Sequence, residues 1–261
     1  LSFTGAPPSG TNNIYVVHQA KSVGTISVPD SYKSDAQTIS GARTFNGGIT
    51  MGGTTPTLTI GDAGAEDAKI VFDGNAQDYH IGLDDSTDDL VIGKGSALGT
   101  TAHIVTDENG HVTKPLQTAF LALNDGGDSI TNATTTTIHL DTEIFDTNGD
   151  VTNHTFTAPV TGKYYLSGLV RLDAGSSSNT RFNRMFMQFN ASNRGALFET
   201  GQMYTDEDDK MGVSGSIVMD MDANDTVTMR VFASRNGASG ATTTSGNSSE
   251  PVTFFSGFLL G

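Results

Sequence analysis

Cysteine is absent from the 261 residues, which excludes disulfides, thiolate metal sites and thiol catalysis and leaves the redox compartment open. Charge is scarce as well: 16% of residues are charged, and 14 lysines and arginines face 29 aspartates and glutamates. The imbalance is spread evenly, with 6 basic and 13 acidic side chains in residues 1–115 and 8 and 16 in residues 116–261. Neither half offers the cationic face that would displace phosphate counterions or hold an anionic membrane, so neither a nucleic-acid partner nor membrane insertion is expected. No apolar run approaches the length that spans a bilayer, and no charged segment followed by an apolar one opens the chain. Helical patterning is also missing. Gly, Thr, Ser and Asn take the place of charge, and because they favour turns and sheets over helices, the composition predicts an all-β chain with many short connections.

The signatures of catalysis and metal binding are lacking too. His18, His80, His103, His111, His139 and His154 are scattered singly, without a metal-ligand spacing or a nucleophile-elbow pattern. GITMGG at Gly48–Gly53 has no lysine and reads as a turn. A calcium loop needs ligands at alternate positions, then a glycine, then a glutamate six residues on. In GLDDSTDDLVIG (Gly82–Gly93) Asp89 stands where the glycine should be, and in DTNGD (Asp146–Asp150) Val151 and Thr157 replace the glycine and glutamate. These clusters, and TDEDDK at Thr205–Lys210, read as solvated loops, Asp84–Asp89 as a tight polar turn. No cofactor, metal or catalytic residue is assigned.

Aromatic residues divide the chain: 6 of the 20 Phe and Tyr lie in residues 1–115 and 14 in residues 116–261. Between them DENGHVTKPLQ (Asp107–Gln117) reads as a junction, with an Asn-Gly turn and Pro115. The organisation predicted is an N-terminal extension or attachment segment over 1–30, a repetitive β shaft over 31–115 and a head over 116–261. In the shaft, TLTIG (Thr57–Gly61), YHIG (Tyr79–Gly82) and LVIG (Leu90–Gly93) are short alternating strands ending on the same dipeptide. Strands so thin need neighbouring turns or neighbouring chains to close a core, which predicts an elongated prism or short solenoid, and a trimer.

The head is more specific. HTFTAPVTGKYYLSGLV (His154–Val170) reads as a strand, a turn over Pro159–Gly162 and a long aromatic strand, and SGSIVMDMDANDTVTMRVF (Ser214–Phe232) as two strands about an Asp-Ala-Asn-Asp turn. Phe156, Pro159, Gly162 and Tyr164, with Phe255, Ser256, Gly257, Phe258 and Leu259 at the end and TAFLAL (Thr118–Leu123) at the start, resemble the globular head of complement component 1q and its tumour-necrosis-factor-like relatives. The resemblance covers residues 116–261. It implies a ten-stranded jelly roll that packs as a homotrimer, with Phe120, Phe156, Tyr164, Phe186, Phe255 and Phe258 in core and interface. Met185, Met187 and Phe189 alternate with Phe182 and Phe186, so their strand is expected to be covered on both faces. The collagen repeat that precedes the head in that family is missing here.

Glu66–Thr100 and QTISGARTFNGGITM (Gln37–Met51) resemble segments of structural proteins of tailed marine bacteriophages. That resemblance implies a virion tail fibre or spike whose head binds a host cell-surface glycan or protein, with other tail proteins as partners. Alternatives are a secreted bacterial adhesin or envelope protein, extracellular or on the cell surface, and a polysaccharide-degrading tailspike. The last needs a longer solenoid than the shaft residues allow. Receptor contacts are expected on two polar loops, Ala174–Arg184 and Ser234–Glu250, and in particular on Arg181, Arg184 and Arg235, cations suited to acidic sugars.

Overall fold

Eighteen strands and no helix make up the described part of the computed structural model, which covers residues 41–173, 180–200, 210–235 and 241–261. Residues 41–58 carry no strand, and every residue from 41 to 67 is exposed, including Phe45, Ile49, Met51, Leu58 and Ile60. TLTIG is not a strand, and none of the described residues pairs with it.

The first sheet is an antiparallel meander, in the order β1 (Ala68–Phe72), β2 (Tyr79–Asp84), β3 (Asp89–Lys94), β4 (Ala102–Thr106), β5 (Val112–Thr113). Asp85–Asp88 form the turn between β2 and β3, closed by the Thr87 amide donating to the Asp84 carbonyl at 3.3 Å and by Ser86 Oγ donating to Asp84 Oδ1 at 2.6 Å. A four-residue turn admits only an antiparallel partner, so these strands form a meander where a solenoid would stack parallel rungs. Alternation is present, but the covered face is the opposite of the one the large residues suggest. His80, Gly82, Val91 and Gly93 are buried, whereas Ile70, Phe72, Tyr79, Leu83, Leu90 and Ile92 share the exposed face. Gly93 has room for no side chain, since a Cβ there would stand 2.7 Å from the His80 ring.

The remaining thirteen strands form a two-sheet jelly roll. One sheet runs β10 (Val151–Thr152), β11 (Thr155–Thr157), β16 (Thr226–Arg235), β13 (Thr180–Phe189), β14 (Ser192–Thr200), with β8 (Thr134–Thr137) also on β16. The other runs β7 (Ser129–Thr131), β17 (Ala241–Thr244), β12 (Gly162–Asp173), β18 (Phe254–Leu259), β6 (Ala119–Leu123), β9 (Thr142–Asp146), with β15 (Lys210–Met221) on the far side of β12. Ten strands are expected and thirteen form; the surplus consists of pieces of two to four residues such as β7, β8 and β10. The Asp-Ala-Asn-Asp turn carries the chain from β15 in one sheet to β16 in the other.

Period-two alternation along β12 sends Tyr164, Leu166, Val170 and Leu172 inward, none more than 2% exposed, to meet Met185, Met187, Met229 and Val231 from the facing sheet. At the centre the Phe120 and Phe156 rings stack at 4.8 Å, Phe255 meets Phe120 edge-on at 5.0 Å, and Tyr164 meets Phe156 at 5.4 Å. Tyr164 also donates its hydroxyl to the Val160 carbonyl at 2.7 Å, which satisfies the one polar atom it brings inside. The glycine of the closing Phe-Ser-Gly-Phe strand has a packing reason. A Cβ on Gly257 would lie 2.8 Å from Phe120 Cε1 and 2.6 Å from Leu166 Cδ2.

Among the described residues no ladder joins β1–β5 to the jelly roll, and the sandwich core draws on residues from Phe120 onward. A chain beginning at Pro115 is therefore expected to unfold in one cooperative step. A broad, non-cooperative transition in a thermal melt followed by circular dichroism would contradict this.

Candidate functional site

The same alternation that fills the core leaves an apolar face on the outside of the β15–β12–β18–β6–β9 sheet. Tyr165 and Phe258 are direct cross-strand partners with rings 5.3 Å apart, and Leu121 pairs with Phe145 across the β6–β9 ladder. Phe258 is 44% exposed and Phe145 49%. Together with Phe254 they line a shallow depression of about 460 Å³ in which charged side chains take no part. A contiguous cluster of exposed aromatics of this kind marks a contact surface, not a random scatter.

The expected site residues divide between these two environments. Phe120, Phe156, Tyr164 and Phe255 lie in the core, at most 1% exposed, and Phe258 lies on the outward aromatic face. Phe186 is 5% exposed and lies outside the core cluster that holds Met185 and Met187, while Arg184 on the same face of β13 is exposed, so that outward face is covered at Phe186 and open at Arg184. The side chain of Phe182 lies outside the described residues.

The polar segments expected to be loops are partly strand. Thr180–Arg184 belong to β13, Ser234 and Arg235 to β16, and residues 241–244 form β17, because polar residues on the outward face of a strand read as loop when the inward face is not known. Residues 174–179 and 236–240 lie outside the described residues, as do the side chains of Arg181 and Arg235. Arg184 is described: its Nε lies 3.6 Å from Glu199 Oε2, and its guanidinium sits 5.9 Å from the centroid of the Phe186 ring.

The pattern of single histidines hides one organised cluster. The loop from Asn124 to Asp128 buries Asp128, whose Oδ2 accepts from Asn124 Nδ2 at 3.0 Å and from the His139 amide at 2.9 Å, while Oδ1 holds the His139 ring through Nδ1. Thr244 Oγ1 closes the network, accepting from the Asp128 amide at 2.5 Å and donating to Asn124 Oδ1 at 3.1 Å. His154 stands edge-on to His139 at 4.5 Å and accepts from the Leu140 amide at 2.9 Å. The cluster ties β17 and the 124–128 loop to the start of β9. It contains no nucleophile beside a base, and among the described residues no group of three or more histidines and carboxylates is placed to hold a metal.

Its electrostatics have a measurable consequence. The Asp128 carboxylate bonded to the ring raises the pKa of His139 above its ordinary 6.5, against a smaller opposing effect of burial. The folded state then binds the proton more tightly than the unfolded one, so the pair's contribution is complete below about pH 6.5 and is lost as pH rises through the raised value. The melting temperature is expected to fall across that window in the parent, with the component due to this pair missing in His139→Gln. Identical pH profiles for the two proteins would contradict the assignment.

Comparison with known proteins gives a likeness of fold. No protein-family model and no curated protein matches the chain. Among solved structures, the chain is similar to the globular domain of zebrafish complement 1qA protein, at 18% identity and a TM-score of 0.39 over 56% of this chain and 98% of that one. It is also similar to murine APRIL, at 13% identity and a TM-score of 0.36 over 55% and 99%. The complement 1q head to which the sequence bears a resemblance is thus represented among the structures it is similar to.

Proposed function

We propose that this chain is a trimeric attachment protein, a virion tail fibre or spike with a shaft over 31–115 and a head over 116–261, whose head binds a glycan or protein on the host cell surface. The observation that carries the reading is the outward aromatic face of the head around Tyr165, Phe258 and Phe145, which a single chain leaves in water. Three copies about an axis would cover it. The β1–β4 meander adds a second face of the same character, with Ile70, Phe72, Leu83, Leu90 and Ile92 exposed together. Once heads associate, three such faces are tethered a few residues away, at the high effective concentration that favours their closure.

On this reading the chain is a binding module and not an enzyme, located on the virion and joined through residues 1–30 to other tail proteins. The bacterial adhesin reading shares the trimer and differs in gene neighbourhood, which would show secretion genes in place of capsid and tail genes. Labelled, purified protein should adsorb saturably to host cells. Folded protein that adsorbs to no cell type carried by the same phage–host system would contradict the attachment function.

A further inference from the structure

The outward face of the β16–β13–β14 sheet holds two arginines on either side of an aromatic ring. Phe186 points away from the core between Met185 and Met187, and its direct cross-strand partner on β16 is Arg230. Arg184, two residues along β13, lies on the same face, 5.9 Å from the Phe186 ring. Arg230 is half-buried, its Nε is buried without a hydrogen-bond partner, and its guanidinium makes no ion pair with a described residue. That is unusual in a chain where acidic residues outnumber basic ones 29 to 14. Among the described residues, the carboxylate near Arg184 is that of Glu199, 3.6 Å away with both side chains about half exposed, a geometry that contributes little in water.

Diagonal neighbours on adjacent strands stand roughly 7–8 Å apart, so Arg184 and Arg230 place two cations close together on the outward face. An anion placed there would be met by both cations, and guanidinium forks match a carboxylate or sulfate through two parallel bonds. Thr137 on β8 lies opposite Arg230 on the same face and supplies a hydroxyl that can both donate and accept. The sequence conceals Arg230 because it sits inside the alternation of TMRVF, where it reads as the polar half of a strand.

We propose that Arg184 and Arg230, flanking the buried Phe186 and with Thr137 beside them, bind an anionic saccharide, one whose sugar rings carry carboxylates or sulfate esters. The inference rests on the attachment function proposed above and names its ligand class. A densely charged polyanion such as a nucleic acid is disfavoured, since two cations on a protein of net charge −15 cannot displace its counterions.

The test is calorimetric titration of the full chain with polygalacturonate, dextran sulfate, uncharged dextran and duplex DNA. At least one of the two acidic polysaccharides is expected to bind, identifying carboxylate or sulfate as the recognised group, with no binding to dextran or DNA. Arg184→Ala and Arg230→Ala should each weaken that binding at least tenfold, Arg230→Lys should weaken it less, and melting temperatures should stay within a few degrees of the parent. A parent that binds neither acidic polymer, variants that bind as well as the parent, or equal binding to DNA would overturn the proposal. Adsorption to host cells, measured in parallel, separates the two claims. Undiminished adsorption by the alanine variants would overturn the site alone, whereas a parent that adsorbs to no cells would overturn the attachment function itself.

Discussion

Phe120→Ala is expected to cost the head about 3–5 kcal/mol, the range for removing a large aromatic from a packed core, and to lower its melting temperature by roughly 10 °C. Phe120 is 1% exposed, stacked on Phe156 and met edge-on by Phe255, so its loss leaves a cavity lined by rings that cannot collapse into it without breaking their own contacts. Backbone relaxation is limited as well, because Gly257 already lies against the ring from β18. Denaturant unfolding of parent and variant measures the difference. A cost below about 1 kcal/mol, the size of a typical surface change, would mean that the aromatic centre is not where the sandwich is held together.

The head was legible in the sequence for a physical reason. Its inward residues are large and its turns carry their own signals, so His154–Val170 reads as strand, turn and strand, while the placing of Phe156 and Tyr164 in core or interface came from the resemblance to the complement 1q head. In the shaft the same rule gave the strands β2 and β3 and a turn expected over Asp84–Asp89, which forms at Asp85–Asp88, but the wrong face: Tyr79, Leu83, Leu90 and Ile92 are exposed, and His80, Gly82, Val91 and Gly93 beside them are buried. Periodicity records which residues share a face, while the identity of the covering surface is a tertiary or quaternary fact. TLTIG failed more completely, since a strand exists only with a partner and residues 57–61 have none among the described residues. The His139 cluster was invisible because Asn124, Asp128, His139, His154 and Thr244 are brought together only by the ladders and loops of the fold.

Phe258→Asp is expected to release folded single chains. Phe258 is 44% exposed and stacks beside Tyr165 on the outward face, so the substitution leaves the inward side of β18, with Phe255 at 0% exposure, as it is. In an assembly that covers this face, each copy would bring an unpaired carboxylate out of water. The penalty is several kcal/mol per ion, which lowers the association constant by about a thousandfold or more. Phe120→Ala and Phe258→Asp therefore make opposite predictions: the first weakens the fold of each head, and the second separates heads that remain folded. If Phe258→Asp unfolded the head without a monomeric folded state, or left the assembly unchanged, the outward face would not be the contact.

Light scattering of the parent protein at micromolar concentration tests the central claim most directly. The account predicts a particle of three times the 27.3 kDa chain mass, persisting on dilution to the point where the aromatic faces separate. A stable, folded particle of 27.3 kDa at that concentration would contradict it, because the aromatic face of the head and the apolar face of the meander would then stand open to water with nothing to cover them.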